Sequence, residues 1–119
     1  MNGNGVRVFV VEDEPLLRLE LEDILADLGH DLAGSVGKLD EALALAATVD
    51  CDVAILDVNL GRERVDPVAD LLKARLIPVL FTTGYGDAGR PINHPGAPLL
   101  EKPYQSAALS AALFGLMWR

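Results

Sequence analysis

Asp52-Val53-Ala54-Ile55-Leu56-Asp57 is the clearest indication of the fold in this sequence. Four consecutive apolar residues between two acidic ones are typical of a strand that is buried on both faces, as strands of parallel sheets are. A helical or half-exposed segment would instead show polar residues at regular intervals. Further strands are predicted over residues 7–11, 77–82 and 97–101, and a weaker one, interrupted by Gly34, over residues 31–36.

Helical periods separate these strands. After the first strand, leucines and an isoleucine recur at helical spacing from Leu17 to Leu28, with Pro15 in the first turn and Gly29 at the end. Shorter apolar stripes predict three more helices, which begin near Leu39 and cover residues 67–75 and 104–118. Alternating strands and helices predict an α/β fold, a doubly wound five-stranded parallel sheet with right-handed crossovers.

The segment 84–98 departs from this alternation. It contains four glycines and three prolines, a density that disfavours a helix of normal length. We therefore expect the fourth helix of a regular five-fold βα repeat to be reduced or disordered. The segment 61–66 is predicted to be a loop.

Composition and charge exclude several classes of function. With 119 residues, 50% of them hydrophobic, the chain is expected to form one domain over residues 1–119. A formal net charge of −8 disfavours binding to nucleic acid or anionic lipid. A single cysteine, Cys51, excludes an internal disulfide and is expected to be a buried, inert thiol. No apolar run is long enough to span a membrane, and the first residues do not resemble a signal peptide, so we expect a cytoplasmic protein.

Polar residues follow the predicted strands at their carboxyl ends. Glu12 and Asp13 follow the first strand, Asp57 ends the third, Thr83 follows the fourth and Lys102 the fifth. In an open parallel sheet, this edge is where ligands bind. Clustered carboxylates repel each other, and a hard dication such as Mg²⁺ offsets that repulsion and accepts phosphate oxygens. A carboxylate can also form an aspartyl-phosphate, and a lysine can pair with the transferred group.

The chain resembles the receiver domain of two-component response regulators along almost its whole length. Four motifs, each at a strand end, carry the resemblance: Val10-Val11-Glu12-Asp13-Glu14-Pro15, Ile55-Leu56-Asp57-Val58-Asn59-Leu60, Pro78-Val79-Leu80-Phe81-Thr82-Thr83-Gly84-Tyr85 and Leu100-Glu101-Lys102-Pro103-Tyr104. The resemblance implies a flavodoxin-like, CheY-like fold.

The resemblance also assigns roles to site residues. It makes Asp57 the phosphoacceptor and Glu12 and Asp13 the acidic pair that holds Mg²⁺, with the backbone carbonyl of Asn59 as a further metal ligand. Thr83 becomes the switch hydroxyl and Lys102 the phosphate-sensing lysine, and the Lys102–Pro103 bond is often cis in this family.

Residues 81–85 also resemble the FAT GUY subgroup of receivers, which are often single-domain proteins from α-proteobacteria. Thr82 stands where that motif usually has alanine, and by strand alternation it should point away from Thr83. Ordinary receivers carry an aromatic residue three positions before the lysine, where this chain has Leu99. We therefore expect Tyr85 and the segment 84–98 to take over the switch.

The expected function is that of a stand-alone receiver without an output domain. A sensor histidine kinase or a histidine phosphotransfer protein would donate the phosphoryl group, and the altered surface would bind a downstream protein, or the chain would act as a phosphate shuttle or sink. We expect a monomer or weak homodimer and no enzyme with a diffusible product. Two alternatives remain open: a pseudo-receiver that binds partners without phosphorylation, and an aspartate-nucleophile phosphatase.

Residues away from the strand ends are expected to have structural rather than functional roles. His30 and His94 are expected at the surface, and residues 62–64 in a solvated loop. Phe114 is expected in the core, and Trp118 either in the core or at an interface.

Overall fold

The structure is a computed structural model that describes residues 5–84 and 89–118. Seven strands and four helices follow each other along these residues. The strands are β1 (Arg7–Val11), β2 (Asp31–Val36), β3 (Val53–Asp57), β4 (Asn59–Leu60), β5 (Glu63–Arg64), β6 (Val79–Thr83) and β7 (Leu99–Glu101). The helices are α1 (Pro15–Asp27), α2 (Leu39–Ala46), α3 (Asp66–Ala74) and α4 (Ser106–Met117).

Five of the strands form one parallel sheet in the order β2-β1-β3-β6-β7. The predicted doubly wound α/β fold is thereby confirmed. Strand β3 lies at the centre and all five of its residues are buried, as its unbroken apolar pattern predicts.

The sheet separates two apolar cores. One core packs Phe9, Leu56 and Phe81 of the sheet against α2 and α3. The other packs Val10, Ile55 and Leu80, which point to the opposite face, against α1 and α4. Because successive strand residues alternate between the faces, both cores draw on the same three strands.

Gly34, in the weak apolar run at residues 31–36, lies where α2 packs over β2. A Cβ at this position would lie 2.8 Å from Leu45 Cδ2 and 3.3 Å from Phe9 Cδ1. The missing side chain lets α2 pack closely over the edge strand β2. The β2 pairing with β1 shifts by one residue between Val8 and Phe9, next to this contact.

The predicted loop at residues 61–66 is wrong in part. Asn59–Leu60 and Glu63–Arg64 pair as a short antiparallel hairpin, with Gly61 at a positive φ of 68° in its turn. Glycine adopts this left-handed conformation without a steric penalty. The hairpin directly follows Asp57 and forms one side of the strand-end region.

Residues 89–98, which we call the strap, contain no α-helix, in agreement with the expected reduction of the fourth helix. Side chains from β5 and α3 hold the strap in place. Arg64 Nη2 donates to the carbonyl of Gly89 (2.9 Å) and Lys73 Nζ to that of Asn93 (3.0 Å). His94 Nε2 lies 2.8 Å from Asp70 Oδ1.

Two expectations about side-chain burial are wrong. His94 is only 7% exposed, because its ring packs edge-on against Phe81 at 5.6 Å while Asp70 pairs with its nitrogen. Phe114 is 62% exposed and stacks on Trp118, because Leu113, its neighbour on α4, takes the inward position.

Cys51 is half-buried beside the α2–α3 core, and burial raises the pKa of its thiol above the ordinary value. The thiol is therefore protonated at neutral pH, as expected of an inert cysteine.

None of the helices in the described ranges combines the length and the apolar character that crossing a membrane requires.

Candidate functional site

The carboxyl ends of β1, β3 and β7 bring three charged groups into contact. Lys102 Nζ, which directly follows β7, lies 2.8 Å from Glu12 Oε1 and 3.0 Å from Asp57 Oδ2. Glu12 is 2% and Asp57 5% exposed, so the lysine bridges two buried carboxylates. The sequence prediction that these side chains converge therefore holds geometrically.

Asp13 completes an acidic cluster with Glu12 and Asp57. One carboxylate oxygen of each of the three residues lies within 4.8 Å of the others. Unlike the other two, Asp13 is exposed, so the cluster opens to solvent on its side. Its Oδ2 accepts a hydrogen bond from the backbone N–H of Gly61 (2.9 Å), which ties the β4–β5 hairpin to the end of β1.

The electrostatic environment opposes ionisation of Asp57. Burial raises its pKa to about 8, and the charge of Glu12 and a hydrogen bond with Asp13 act in the same direction. Lys102 opposes the rise without cancelling it. A group with a strongly displaced pKa among charged neighbours at a strand end is typical of functional sites.

Lys102 is held in its charged form by the same neighbours. Burial lowers the pKa of Lys102, but the hydrogen bond to Glu12 and the charge of Asp57 outweigh burial, so the pKa is raised. Its backbone also fixes its place, since the N–H of Lys102 donates to the carbonyl of Thr83 (2.8 Å). The Lys102–Pro103 bond is cis, as the resemblance implied.

Backbone hydrogen bonds hold the remaining carboxylate oxygens. The N–H of Glu14 donates to Glu12 Oε2 (3.1 Å), and the N–H of Asn59 donates to Asp57 Oδ1 (3.3 Å). Asn59, whose carbonyl is the candidate metal ligand, thus lies directly against the acidic cluster.

Thr83 is fully buried at the end of β6, next to the start of the strap. A Cβ added to Gly89 would lie 2.9 Å from Thr83 Oγ1 and 3.6 Å from Thr83 Cβ. Glycine at position 89 therefore lets the strap backbone approach this hydroxyl. Tyr85, the candidate switch aromatic, lies outside the described residues.

Leu99 occupies the position where ordinary receivers have an aromatic residue. It pairs in register with Phe81 and packs against the α2–α3 core. An aliphatic side chain therefore fills this place.

Sequence reasoning missed several groups that support the site. Gly61 contacts Asp13 across 48 positions, and Arg18 Nη1 donates to the carbonyl of Glu12 (3.2 Å). Gly89 and Arg64, which set the strap beside Thr83, were also missed. No local sequence pattern predicts these contacts. Gly61 after Asp57 does indicate a tight turn.

The residues of this site fit a magnesium ion. Its donors are carboxylate and carbonyl oxygens, which hard dications prefer, and burial together with the charge of Glu12 raises the pKa of Asp57 and so disfavours its ionised form. The cation would therefore relieve a repulsion that the protein itself creates.

A parallel five-stranded sheet with this strand-end cluster defines the class of receiver domains. The family model "Response regulator receiver domain" matches residues 8–114. The chain therefore belongs to the response regulator receiver domain family.

Individual relatives agree with this assignment. The phyllosphere-induced regulator PhyR of Methylorubrum extorquens is 36% identical over 113 residues, which cover 92% of this chain and 42% of that protein. The solution structure of SdrG from Sphingomonas melonis Fr1 superposes with a TM-score of 0.83 and 40% identity, covering 94% of this chain and 96% of SdrG.

A third comparison is a crystal structure of the anti-anti-sigma factor PhyR from Bartonella quintana. The TM-score is 0.74 and the identity 28%, over 93% of this chain and 48% of that one. The chain thus spans less than half the length of both PhyR proteins and nearly all of SdrG.

Proposed function

We propose that this chain is a phosphoryl-accepting signalling switch, with Asp57 as the acceptor. The observation that carries the proposal is the placement of Asp57: a buried carboxylate, 3.0 Å from Lys102 Nζ and grouped with Glu12 and Asp13. The donor is a phosphohistidine of a sensor histidine kinase or of a histidine phosphotransfer protein.

The transfer is an in-line displacement at phosphorus. A carboxylate oxygen of Asp57 forms the new P–O bond while the P–N bond of the phosphohistidine breaks, and the imidazole leaves with the bonding electron pair. Lys102, already beside Asp57 Oδ2, pairs with the oxygens of the transferred group. The product is an aspartyl-phosphate, which water hydrolyses slowly, so the chain is an acceptor rather than an enzyme with a diffusible product.

Glu12, Asp13, Asp57 and the carbonyl of Asn59 would hold the magnesium ion. When bound, Mg²⁺ supplies positive charge that offsets the charge on the phosphoryl oxygens. The protein itself holds the three carboxylates in place. The N–H groups of Glu14, Asn59 and Gly61 donate hydrogen bonds to their oxygens.

The signal leaves the site through Thr83 and the strap. We propose that the Thr83 hydroxyl contacts the new phosphoryl group and that the strap, which touches Thr83 at Gly89, follows its movement. Tyr85 and the segment 84–98 would then replace the aromatic that is absent at Leu99. This arrangement fits the FAT GUY resemblance of residues 81–85.

The output is a contact with another protein. The charge of −8 opposes direct binding to nucleic acid, and the resemblance to a single-domain subgroup favours a stand-alone receiver in the cytoplasm. One relative is described as an anti-anti-sigma factor, and we propose that this chain, too, acts by binding a protein partner.

The test is phosphorylation by acetyl phosphate with Mg²⁺, followed by intact mass. Wild type should gain one acid-stable, base-labile phosphoryl group, and Asp57→Asn none. Lys102→Gln should slow the reaction by about 10²-fold, since it removes a charge that stabilises the transition state. Lys38→Gln, which alters an exposed lysine, is the matched control and should react like wild type.

Three results would contradict the proposal. A phosphoryl group on Asp57→Asn would place the acceptor elsewhere, and failure of wild type to react would favour a pseudo-receiver. Repeated turnover of a small phosphoester, with no accumulating adduct, would favour a phosphatase.

A further inference from the structure

The C-terminal half of α4 and the end of α1 leave an apolar pocket open to solvent. Phe114 and Trp118 stack with ring centroids 5.2 Å apart, and they are 62% and 50% exposed. Together with Leu28, His30 and Ser110 they line a cavity of about 430 Å³. We call these five residues the aromatic pocket.

The outer face of α4 continues this apolar surface. Residues 103–118 contain no charged side chain, although 24% of the whole chain is charged. Exposed positions on the helix are instead filled by small residues, namely Ala107, Ala108, Ala111 and Gly115. A solvent-facing helix normally carries charges on this side, and an uncharged exposed face with aromatic residues marks a binding surface.

Acidic residues adjoin two of the pocket residues along the chain. Between Leu19 and Gly37 the chain has five acidic residues and no lysine or arginine. Two of them, Asp27 and Asp31, are exposed and flank the pocket residues Leu28 and His30. His30 Nδ1 accepts a hydrogen bond from the N–H of Val6 (3.2 Å), which fixes its ring at the edge of the pocket.

The pocket is remote from the acidic cluster. Helix α4 starts just after Lys102 and Pro103 and runs away from the strand ends, so that Trp118 lies about 18 Å along the helix axis from Ser106. A partner bound at the pocket leaves Asp57 accessible.

We propose that the aromatic pocket binds a basic amphipathic helix of another protein. Apolar side chains of that helix fill the pocket against Phe114 and Trp118, while its lysines or arginines face Asp27 and Asp31. A second copy of this chain is a poorer occupant, because a symmetric contact would bring the same aspartates toward each other. The contact does not depend on phosphorylation of Asp57, so it anchors the chain to its partner in both signalling states.

The fluorescence of Trp118 tests the proposal directly, since it is the only tryptophan in the chain. The probe is a synthetic helical peptide of leucine and lysine without aromatic residues. Titration should shift the Trp118 emission to shorter wavelength as the indole leaves water. Asp57→Asn should give the same binding curve, which separates this site from the phosphoryl-acceptor proposal.

Matched variants localise the binding. Phe114→Ser, and separately Asp27→Lys combined with Asp31→Lys, should each weaken binding about tenfold or more. Leu76→Ser changes another exposed apolar residue, 89% exposed and outside the pocket, and should leave binding unchanged.

Three outcomes would overturn the proposal. These are no spectral shift with the leucine–lysine peptide, an equal shift with a leucine–glutamate peptide, and a shift that grows with protein concentration in the absence of peptide. The last result would assign the pocket to self-association. None of them bears on whether Asp57 accepts a phosphoryl group.

Discussion

At the scale of single residues, Asp57 is the group on which stability and proposed function conflict. It is buried next to two other carboxylates, and one lysine is shared between it and Glu12. Buried like charges cost folding free energy unless a cation or a proton compensates them. The same uncompensated charge is what makes the place attractive to Mg²⁺.

This conflict predicts a pH-dependent effect of Asp57→Asn in the absence of divalent cations. The folded-state pKa of about 8 lies above the ordinary 3.8, so between these values the folded protein keeps a proton that the unfolded chain releases. The contribution of Asp57 to the free energy of unfolding therefore falls as pH rises from about 4 to about 8. The variant should match wild type near pH 4 and exceed it by several kcal/mol near pH 8, since each pH unit across this interval contributes about 1.4 kcal/mol.

Urea unfolding in EDTA at a series of pH values measures this difference. Asp23→Asn, which changes an exposed carboxylate on α1, is the control and should show no such trend. Adding Mg²⁺ should raise the stability of wild type more than that of Asp57→Asn. A stability difference that is constant with pH would contradict the prediction.

At the scale of elements, the strap is the part of this receiver that replaces a helix. Residues 89–98 contain no α-helix, and only two short turns, in which the N–H groups of His94 and Ala97 donate to the carbonyls of Pro91 and His94. Side chains of β5 and α3 hold the strap as well. The strap also touches β6 at Phe81, through the His94 ring and the Pro98 carbonyl, and at Thr83 through Gly89. Its position is therefore set by packing and side-chain contacts rather than by local regularity.

His94→Ala should loosen the strap and destabilise the protein by about 1–3 kcal/mol. The substitution removes a buried ring from Phe81 and leaves Asp70 without its partner. Urea unfolding gives the magnitude, and hydrogen exchange of residues 89–98 shows whether the loss is local. His30→Ala, at a half-buried histidine, is the comparison. If both variants lower the free energy of unfolding equally, the contacts of His94 in the strap do not stabilise the protein more than those of an ordinary histidine.

Gly89→Ala should disturb the contact between the strap and Thr83. Its Cβ would lie 2.9 Å from Thr83 Oγ1, so the strap or the threonine must move, at a cost of about 1–3 kcal/mol. Gly96→Ala is the matched control, because nothing lies within 4 Å of its Cβ. Combining Gly89→Ala with Thr83→Ala should recover part of the loss, and strictly additive effects in this double-mutant cycle would refute the contact.

At the scale of the whole molecule, acidic side chains outnumber basic ones, and they are unevenly spread along the chain. The 18 acidic residues outnumber the 10 basic ones, and the stretch between Leu19 and Gly37 carries five acidic residues without a basic one. Mutual repulsion of exposed charges destabilises a compact state and is screened by salt.

Raising NaCl from low to moderate concentration, without divalent cations, should therefore raise the melting temperature by a few degrees. Replacing Asp23 and Glu20 by lysine reduces the repulsion on α1 and should shrink the salt effect. Thermal unfolding followed by circular dichroism measures both. A melting temperature that falls with salt would mean that attractive ion pairs dominate the surface.

The five strands of the main sheet, their parallel arrangement and the convergence of the charged residues at one edge could all be predicted from the sequence. Strands buried on both faces of a parallel sheet show unbroken apolar runs in the sequence. Polar residues at their carboxyl ends then lie together at one edge of the sheet. For this reason Glu12, Asp13, Asp57 and Lys102 could be expected together although they are distant in the chain.

The hairpin after Asp57, the path of the strap and the burial of His94 instead depend on tertiary contacts. The hydrogen bonds that fix them join residues 20 to 48 positions apart, such as Lys73 with Asn93 and Gly61 with Asp13, and no local period encodes them. The outward position of Phe114 has the same origin: α4 is apolar on all sides, so its packing against the sheet, and not its sequence pattern, selects the buried face.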